Sequence, residues 1–458
     1  MSKKINTKNK KQDDEFFVLN LNQFRMITGY ELSNNDLILE INKNYEVIVP
    51  IEYNVSFKDG KLIFEDFIGE KSDSVRALAN SLKSGILNKM SQSIVEGLTN
   101  NVTNRRTYYI NEGIPLIGHT AFGLIDRGTN VIQIRGLSGC NINCPFCSVD
   151  EGNHSKSRKN DYYVDMDYLV SEYKKIADFK GNTKLEAHLD GQGEPSLYYP
   201  LLELVQELNE INGPKKGIVS IQSNGVNLNE KLIDDLADSG LHRINMSINA
   251  IDEKLSKGLS GKKDYDINKI LEISEYIKNS KIHLLIAPIL LPNYNDTEFK
   301  KVLDYAVNLQ QKIPQNTINP INNKKNPILG AQLCLTYQFG RKVPKMKTWD
   351  FNKFYGLLAN YEKEYSSNGI NVNLKVPLNE YFGSHVRTRL PCPFKVNDVI
   401  SATVLMDGRV NGEIIASSMD RIIQVINCKL ETCKIIGKRI NVKVLRTKDN
   451  IIVGTLVK

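Results

Sequence analysis

No window of this 458-residue chain approaches eighteen uninterrupted apolar residues, and no cysteine occurs before position 140. The first absence argues against a helical membrane span. The start, MSKKINTKNKKQDDE, is basic but has no apolar stretch behind it, so neither a secretory signal nor a membrane is expected and the protein is expected in the cytoplasm. The cysteines number seven, three of them within eight residues. An odd, clustered set of this kind is no disulfide framework; in a reducing compartment it points to metal or redox chemistry.

The length suits two or three domains, each with its own core. Residues 1–15 read as a disordered basic arm. From 16 to 130 short alternating runs such as LILEI, YEVIVPI and KLIFEDF, a Lys58-Asp59-Gly60 hairpin turn and a helical pattern over 73–99 imply a small α+β N-terminal domain. Over 131–390 strands are expected near 131–137, 184–189, 217–223, 242–248, 282–289 and 330–336. Helices are expected near 161–178, 199–209, 228–239, 265–279, 295–310 and 349–365. Six such units in series imply an α/β fold with a parallel sheet curled into a partial (β/α)6 barrel, whose working groups sit beyond the C-terminal ends of the strands. Residues 391–458 turn all-β and imply a small closed barrel. From Ser384 to Lys458 there are 13 Lys and Arg against 6 Asp and Glu, a net +7, which suggests a polyanionic partner.

The stretch RGLSGCNINCPFCSVDEG places Cys140, Cys144 and Cys147 directly after the first barrel strand, in a C-x3-C-x2-C spacing. A structural zinc site wants a fourth ligand, for which His154 is the nearest candidate. A [4Fe-4S] cluster held by three thiolates leaves one iron open to a substrate or cofactor. With the aromatic Phe146 before the last cysteine, the motif resembles the signature of radical S-adenosylmethionine (radical SAM) enzymes. That resemblance implies a [4Fe-4S] cluster on the three cysteines and S-adenosylmethionine on the open iron. It also implies reductive cleavage of that cofactor to methionine and a 5'-deoxyadenosyl radical, and an electron donor such as ferredoxin or flavodoxin.

The later strand ends are then expected to hold the cofactor. Gln192-Gly193-Glu194-Pro195 resembles the Gly-Gly-Glu segment that meets the methionine amino group in that family, with Gln192 departing from the first glycine. Ser223, Asn224 and Gly225 suit ribose or the sulfonium region and Ser247 and Asn249 ribose, while LLIAPILLP resembles the segment whose backbone meets the adenine in that family, which implies Ala287 and Pro288 there. Each is equally able to cap a loop. Glu186 and His188 alternate on the second strand and could contact substrate or serve the core, and Tyr337 and Arg341 are open to the same two readings; no catalytic residue is assigned. Cys334, Cys392, Cys428 and Cys433 are too scattered for a second cluster.

The segment 395–458 resembles the TRAM domain, a small RNA-binding β-barrel. The likeness lies in Val399–Val404, DGRVNGE at 407–413, Arg421–Val425 and GKRINVKVLRTKDNIIVG at 437–454. It implies phosphate contacts from Lys438, Arg439, Lys443, Arg446 and Lys448. Methylthiotransferases join the same two domains behind further cysteines that this chain lacks, so their reaction is not carried over. The whole resembles archaeal radical SAM proteins with a C-terminal TRAM-like domain. The expected function is modification of RNA, with tRNA the first candidate; a protein, lipid or small-metabolite substrate, with the terminal barrel as scaffold, is the alternative.

Overall fold

The computed structural model describes residues 17–67, 72–213, 216–313 and 317–457. The arm expected over residues 1–15 lies outside them. The chain divides into two compact units, one ending at Tyr109 and one beginning at Ile110. The boundary therefore falls ahead of the expected 130, and the terminal barrel belongs to the second unit instead of standing apart from 391.

In the first unit, strands Ile27–Ser33, Asp36–Ile41 and Tyr45–Pro50 form consecutive antiparallel pairs. The alternation in DLILEI buries Leu37, Leu39 and Ile41 on one face, as a period of two requires. The expected hairpin joins Val55–Lys58 to Lys61–Phe64, with Asp59 at φ 51° and Gly60 at φ 76°, the left-handed pair that a tight hairpin turn needs. Helix Asp73–Glu96 starts where the Ser72 side chain accepts from the Val75 amide.

The second unit carries the parallel sheet. Its strands are β1 Val131–Arg135, β2 Glu186–Leu189, β3 Ile218–Ser223, β4 Arg243–Met246, β5 His283–Ile286 and β6 Gln332–Leu333. β1 to β5 pair in parallel in that order, and β6 extends the curl by pairing with Ile289–Leu290 just beyond β5. Helices Met166–Lys180, Leu201–Asn212, Glu230–Asp238, Ile267–Asn279 and Asp296–Lys312 fall between successive strands and present apolar residues to the sheet. The first of them starts later than the expected 161. Residues Asn160–Val164 are a strand, and Asp165 stops it by accepting from the Tyr168 amide at 3.0 Å as the helix cap. A further helix, Glu253–Ser260, which the pattern did not show, is capped the same way by Asp252.

The C-terminal strands β7 Val399–Asp407, β8 Ile414–Ser418, β9 Arg421–Ile426, β10 Arg439–Arg446 and β11 Val453–Leu456 close a five-stranded barrel in the order β7-β8-β9-β11-β10. Ala402, Val404, Val425, Val442 and Val444 fill it. Backbone bonds tie it to the rest of the second unit: the Ile422 amide donates to Ile117 at 2.7 Å, Ile452 to Gly118 at 2.9 Å and Lys159 to Arg409 at 2.8 Å. Buried Lys180 and Asp126 pair at 2.8 Å, and Asp126 also accepts from the Leu390 amide where the chain enters the barrel. Among the described residues no helix is long and apolar enough to cross a membrane.

Candidate active site

The three cysteines lie on the loop after β1, and that loop is fixed at both ends. At its start, Ser138-Gly139 pairs in parallel with Gln192-Gly193, and the Glu194 amide donates to Gly139 at 2.9 Å. A Cβ on Gly193 would sit 2.1 Å from the Gly139 carbonyl oxygen, so only glycine allows the two segments to meet. At its far end, Arg341 clamps the loop. Its amide donates to Cys147 at 2.8 Å, and its guanidinium reaches the carbonyls of Cys144 and Glu151 and the carboxylate of Asp150. Arg341, one of the four candidates for substrate contact, is thus committed to holding the cysteine loop, while Tyr337 is half exposed at the surface.

All three thiols are free of disulfides and half-buried. Burial, reinforced by Glu194 and the neighbouring thiols, pushes Cys140 well above the ordinary thiol range, and burial with Cys147 beside it pushes Cys144 up to about 12. Thiols so placed stay protonated unless a cation offsets their charge, and ligation by iron does that outright. Two donors already point at sulfur: the Glu151 amide to Cys147 Sγ at 3.4 Å and Asn224 Nδ2 to Cys140 Sγ at 3.7 Å. Hydrogen bonds of this kind tune a ligated iron–sulfur cluster. No three or more His, Cys, Asp or Glu among the described residues are grouped tightly enough to share a single ion, and His154 is exposed. Three thiols on one loop, with no fourth cysteine on it, are the donor set of a [4Fe-4S] cluster that keeps one iron open.

A cavity opens beside the thiols, lined by Cys140, Cys144, Phe146, Gly193, Glu194, Ser223, Asn224, Ser247, Asn249 and Ile289. Six of the strand-end residues expected to meet the cofactor, together with Phe146 of the cysteine motif, thus converge on one space. Their polar atoms are partly engaged. Glu194 accepts from Ser223 Oγ at 2.8 Å, the Asn224 amide at 2.8 Å and the Ser196 amide at 3.1 Å. Desolvation nonetheless raises its pKa above the usual carboxylate value, and a nearby cation would favour its ionised form. Ser247 Oγ accepts from Gln222 at 2.8 Å, and Asn249 Oδ1 fixes the Ile289 amide at 2.9 Å.

Gln192, Pro195, Ala287 and Pro288 lie apart from this lining. Pro195 opens the short helical turn that Glu194 caps. Ala287 lines a second cavity deeper in the barrel, with Ile289 holding the upper position two residues on. Gln192 faces the terminal barrel, where Arg409 Nη1 donates to its Oε1 at 2.5 Å. The glutamine that departs from the family pattern is thus the partner of an arginine from the terminal barrel. Arg409 was not legible as part of the site, because 217 residues separate it from Gln192.

The other cysteines do not assemble. Cys334 packs beside Phe146 and Cys144 in an apolar cluster, Cys392 and Cys428 pack in the terminal barrel, and Cys433 is exposed.

Residues 134–306 match the profile of the Radical SAM superfamily. The uncharacterized protein MJ0103 of Methanocaldococcus jannaschii is 60% identical over 439 residues, covering 96% of this chain and 99% of that one. A GTP 3',8-cyclase of Clostridium perfringens is 26% identical over 188 residues, 41% of this chain and 54% of the enzyme's length. Among solved structures, S-adenosylmethionine-bound SuiB of Streptococcus suis aligns with a TM-score of 0.39 at 14% identity, covering 76% of this chain and 72% of that one. AdoMet-bound anSMEcpe aligns with 0.40 at 18%, covering 63% and 74%. The cysteine loop after the first strand of a parallel barrel, the polar strand ends around it and the matched profile lead to one conclusion: residues 134–306 are a domain of the Radical SAM superfamily, whose enzymes work with a [4Fe-4S] cluster and S-adenosylmethionine.

Proposed function

We propose that this radical SAM enzyme modifies RNA, with tRNA as the substrate and a ferredoxin or flavodoxin as electron donor. When bound, the cluster and S-adenosylmethionine supply a 5'-deoxyadenosyl radical. In this reading Cys140, Cys144 and Cys147 hold the cluster, and buried Glu194 receives the cofactor's ammonium. Ser223 and Asn224 set the Glu194 carboxylate in place, and Ser247 and Asn249 face the same space.

The observation that carries the RNA reading is a basic stripe on the terminal barrel. Arg439 and Lys443 lie on the outward side of β10, with Lys438, Arg446 and Lys448 at its two ends. All five are exposed, and none pairs with an acidic side chain among the described residues. Unpaired surface cations on a small closed barrel suit a phosphate backbone, which they position without reading sequence. The test compares, by mass spectrometry, digested tRNA nucleosides from cells with and without the gene. A nucleoside that vanishes while a lighter precursor accumulates supports the proposal; unchanged tRNA and ribosomal RNA profiles overturn it.

A second reading, a small-metabolite substrate with the terminal barrel as scaffold, draws on a different observation. Part of the segment's +7 charge serves docking: Arg409 is buried, Arg387 bonds the carbonyls of Lys180 and Thr183, and Arg389 bonds the carbonyl of Arg127. The partial similarity to GTP 3',8-cyclases agrees with that reading.

A further inference from the structure

The second cavity, about 530 Å³, lies inside the catalytic barrel, within the size range of small-ligand sites. Strands β2 and β4 and the segment beyond β5 supply its inner wall through Glu186, His188, Arg243, Asn245 and Ala287. Asn245 and Ala287 each stand two residues before a residue of the upper cavity, Ser247 and Ile289. Side chains two apart along an extended segment share a face at a spacing of roughly 7 Å. The two spaces are therefore stacked within one barrel, the lower directly beneath the strand ends where the cofactor is expected.

Its polar wall has a defined polarity. Ser220 Oγ donates to Glu186 at 2.7 Å, and Arg243 Nη2 donates to the same carboxylate. Burial opposes ionisation of Glu186, but Arg243 and His188 beside it and these bonds hold it below the usual carboxylate value, so it only accepts. With its proton committed to Glu186, Ser220 can only accept from His188 Nδ1, 2.7 Å away. That sets the imidazole as the Nδ1–H tautomer and leaves Nε2 as an acceptor with no protein partner among the described residues. Asn245 has the opposite polarity. Its Oδ1 accepts from Arg243 Nε at 2.9 Å, which leaves the Nδ2 donors free on a residue only 8% exposed. The cavity thus presents one unpartnered acceptor and one unpartnered donor among the described residues, and Leu374, Val376 and Phe382 add apolar lining, with the Phe382 ring centroid 4.9 Å from the Arg243 guanidinium. Beyond them Lys375, its ammonium 4.5 Å from the centroid of the Tyr355 ring, is exposed at the edge of the lining.

We propose that this cavity holds a nucleotide whose base carries a ring N–H beside a carbonyl, the N–H donating to His188 Nε2, the carbonyl accepting from Asn245 Nδ2, and the phosphate meeting Lys375. Guanine and uracil have that edge; adenine and cytosine in their neutral forms lack the ring N–H. The same chemistry comes from a free nucleotide or from one flipped out of RNA. The inference deepens the RNA reading above and can fail independently of it.

Equilibrium dialysis of the cluster-loaded enzyme against the four nucleoside 5'-monophosphates tests it. GMP and UMP are expected to bind roughly tenfold or more tightly than AMP and CMP, the scale of one missing buried hydrogen bond. His188→Ala is expected to remove the preference and His188→Gln, which keeps an acceptor, to retain part of it. Should the alanine variant fail to fold, the wild-type comparison decides alone. Absence of the preference in both the monophosphates and trinucleotides of the same bases overturns the assignment. Trinucleotides of the same bases separate the sources: a preference shown only by trinucleotides assigns the cavity to a base in RNA. A preference shown only by monophosphates keeps the nucleotide site and removes RNA from the proposed function.

Discussion

Arg409, in the turn between β7 and β8 of the terminal barrel, donates through Nη2 to Glu151 Oε1 at 3.0 Å, four residues beyond Cys147. With the bond to Gln192, this one buried guanidinium ties the terminal barrel to both segments that frame the thiols. Glu151 is buried as well, and Arg158 stands 3.7 Å from the same oxygen. Removing Arg409 takes a buried charge partner from Glu151, a loss worth about 3 kcal/mol where nothing replaces it and less here with Arg158 at hand. Arg409→Ala is therefore expected to lower the denaturant midpoint and to loosen the cysteine loop even without any RNA. The electron paramagnetic resonance signal of the reduced cluster should change its response to S-adenosylmethionine. An unaltered signal together with unaltered stability would show that the Arg409–Glu151 bond is incidental.

Arg341 should behave differently. It holds two carbonyls and the Asp150 carboxylate of the loop, and among the described residues none of its side-chain hydrogen bonds goes to the terminal barrel. Arg341→Ala is expected to reduce iron per chain, measured after anaerobic reconstitution, by more than half while leaving the far-ultraviolet dichroism intact. Cys144→Ala should abolish iron binding, and Cys334→Ala, at a residue packed in an apolar cluster, should not. Full iron content in Cys144→Ala would remove that residue from the ligand set.

The basic stripe predicts a salt dependence. Charge reversal at Lys443 and Arg446 should weaken RNA binding across sequences and flatten the plot of log affinity against log salt by roughly one unit for each phosphate no longer neutralised. Docking of the barrel should survive, because both side chains are exposed and unpaired. A double variant whose affinity and slope match the wild type would place the RNA surface elsewhere.

Acid sensitivity should localise to the barrel wall. Burial works against ionisation of Asp190, but the Arg135 guanidinium, bonded at 2.9 and 3.3 Å, outweighs it and holds the carboxyl below its ordinary value. A folded-state pKa below the unfolded one means the stabilisation is complete above about pH 4 and is lost as pH falls below it. Urea midpoints between pH 3 and 7 should fall on acidification, and Asp190→Asn should be less stable at neutral pH with a flatter slope. An identical slope in the variant would assign the acid sensitivity to other carboxylates.

Much of this was legible in the residue order. The six strands followed from apolar runs at regular intervals, and the cysteine spacing pointed to its chemistry because three thiols in eight residues must share one loop. The strand-end rule brought Glu194, Ser223, Asn224, Ser247 and Asn249 to the same cavity. It placed Ala287 one ring of side chains too high, since Ile289 takes the upper position. Within two residues, which level of the barrel a side chain occupies is set by strand register, and register comes from pairing with a neighbour, not from composition.

What the sequence determined by itself was local: periodicity, caps, the hairpin at Asp59-Gly60 and the cluster motif all act within a few residues. What only the tertiary structure decided was which distant groups became partners. Arg341 reads in sequence as a candidate for substrate contact and Arg409 as basic surface, yet both are bound against the cysteine loop. Gln192 reads as an aberration and is the acceptor for Arg409. A buried guanidinium must find acceptors wherever the packed chain presents them, and here they lie 190 to 258 residues away.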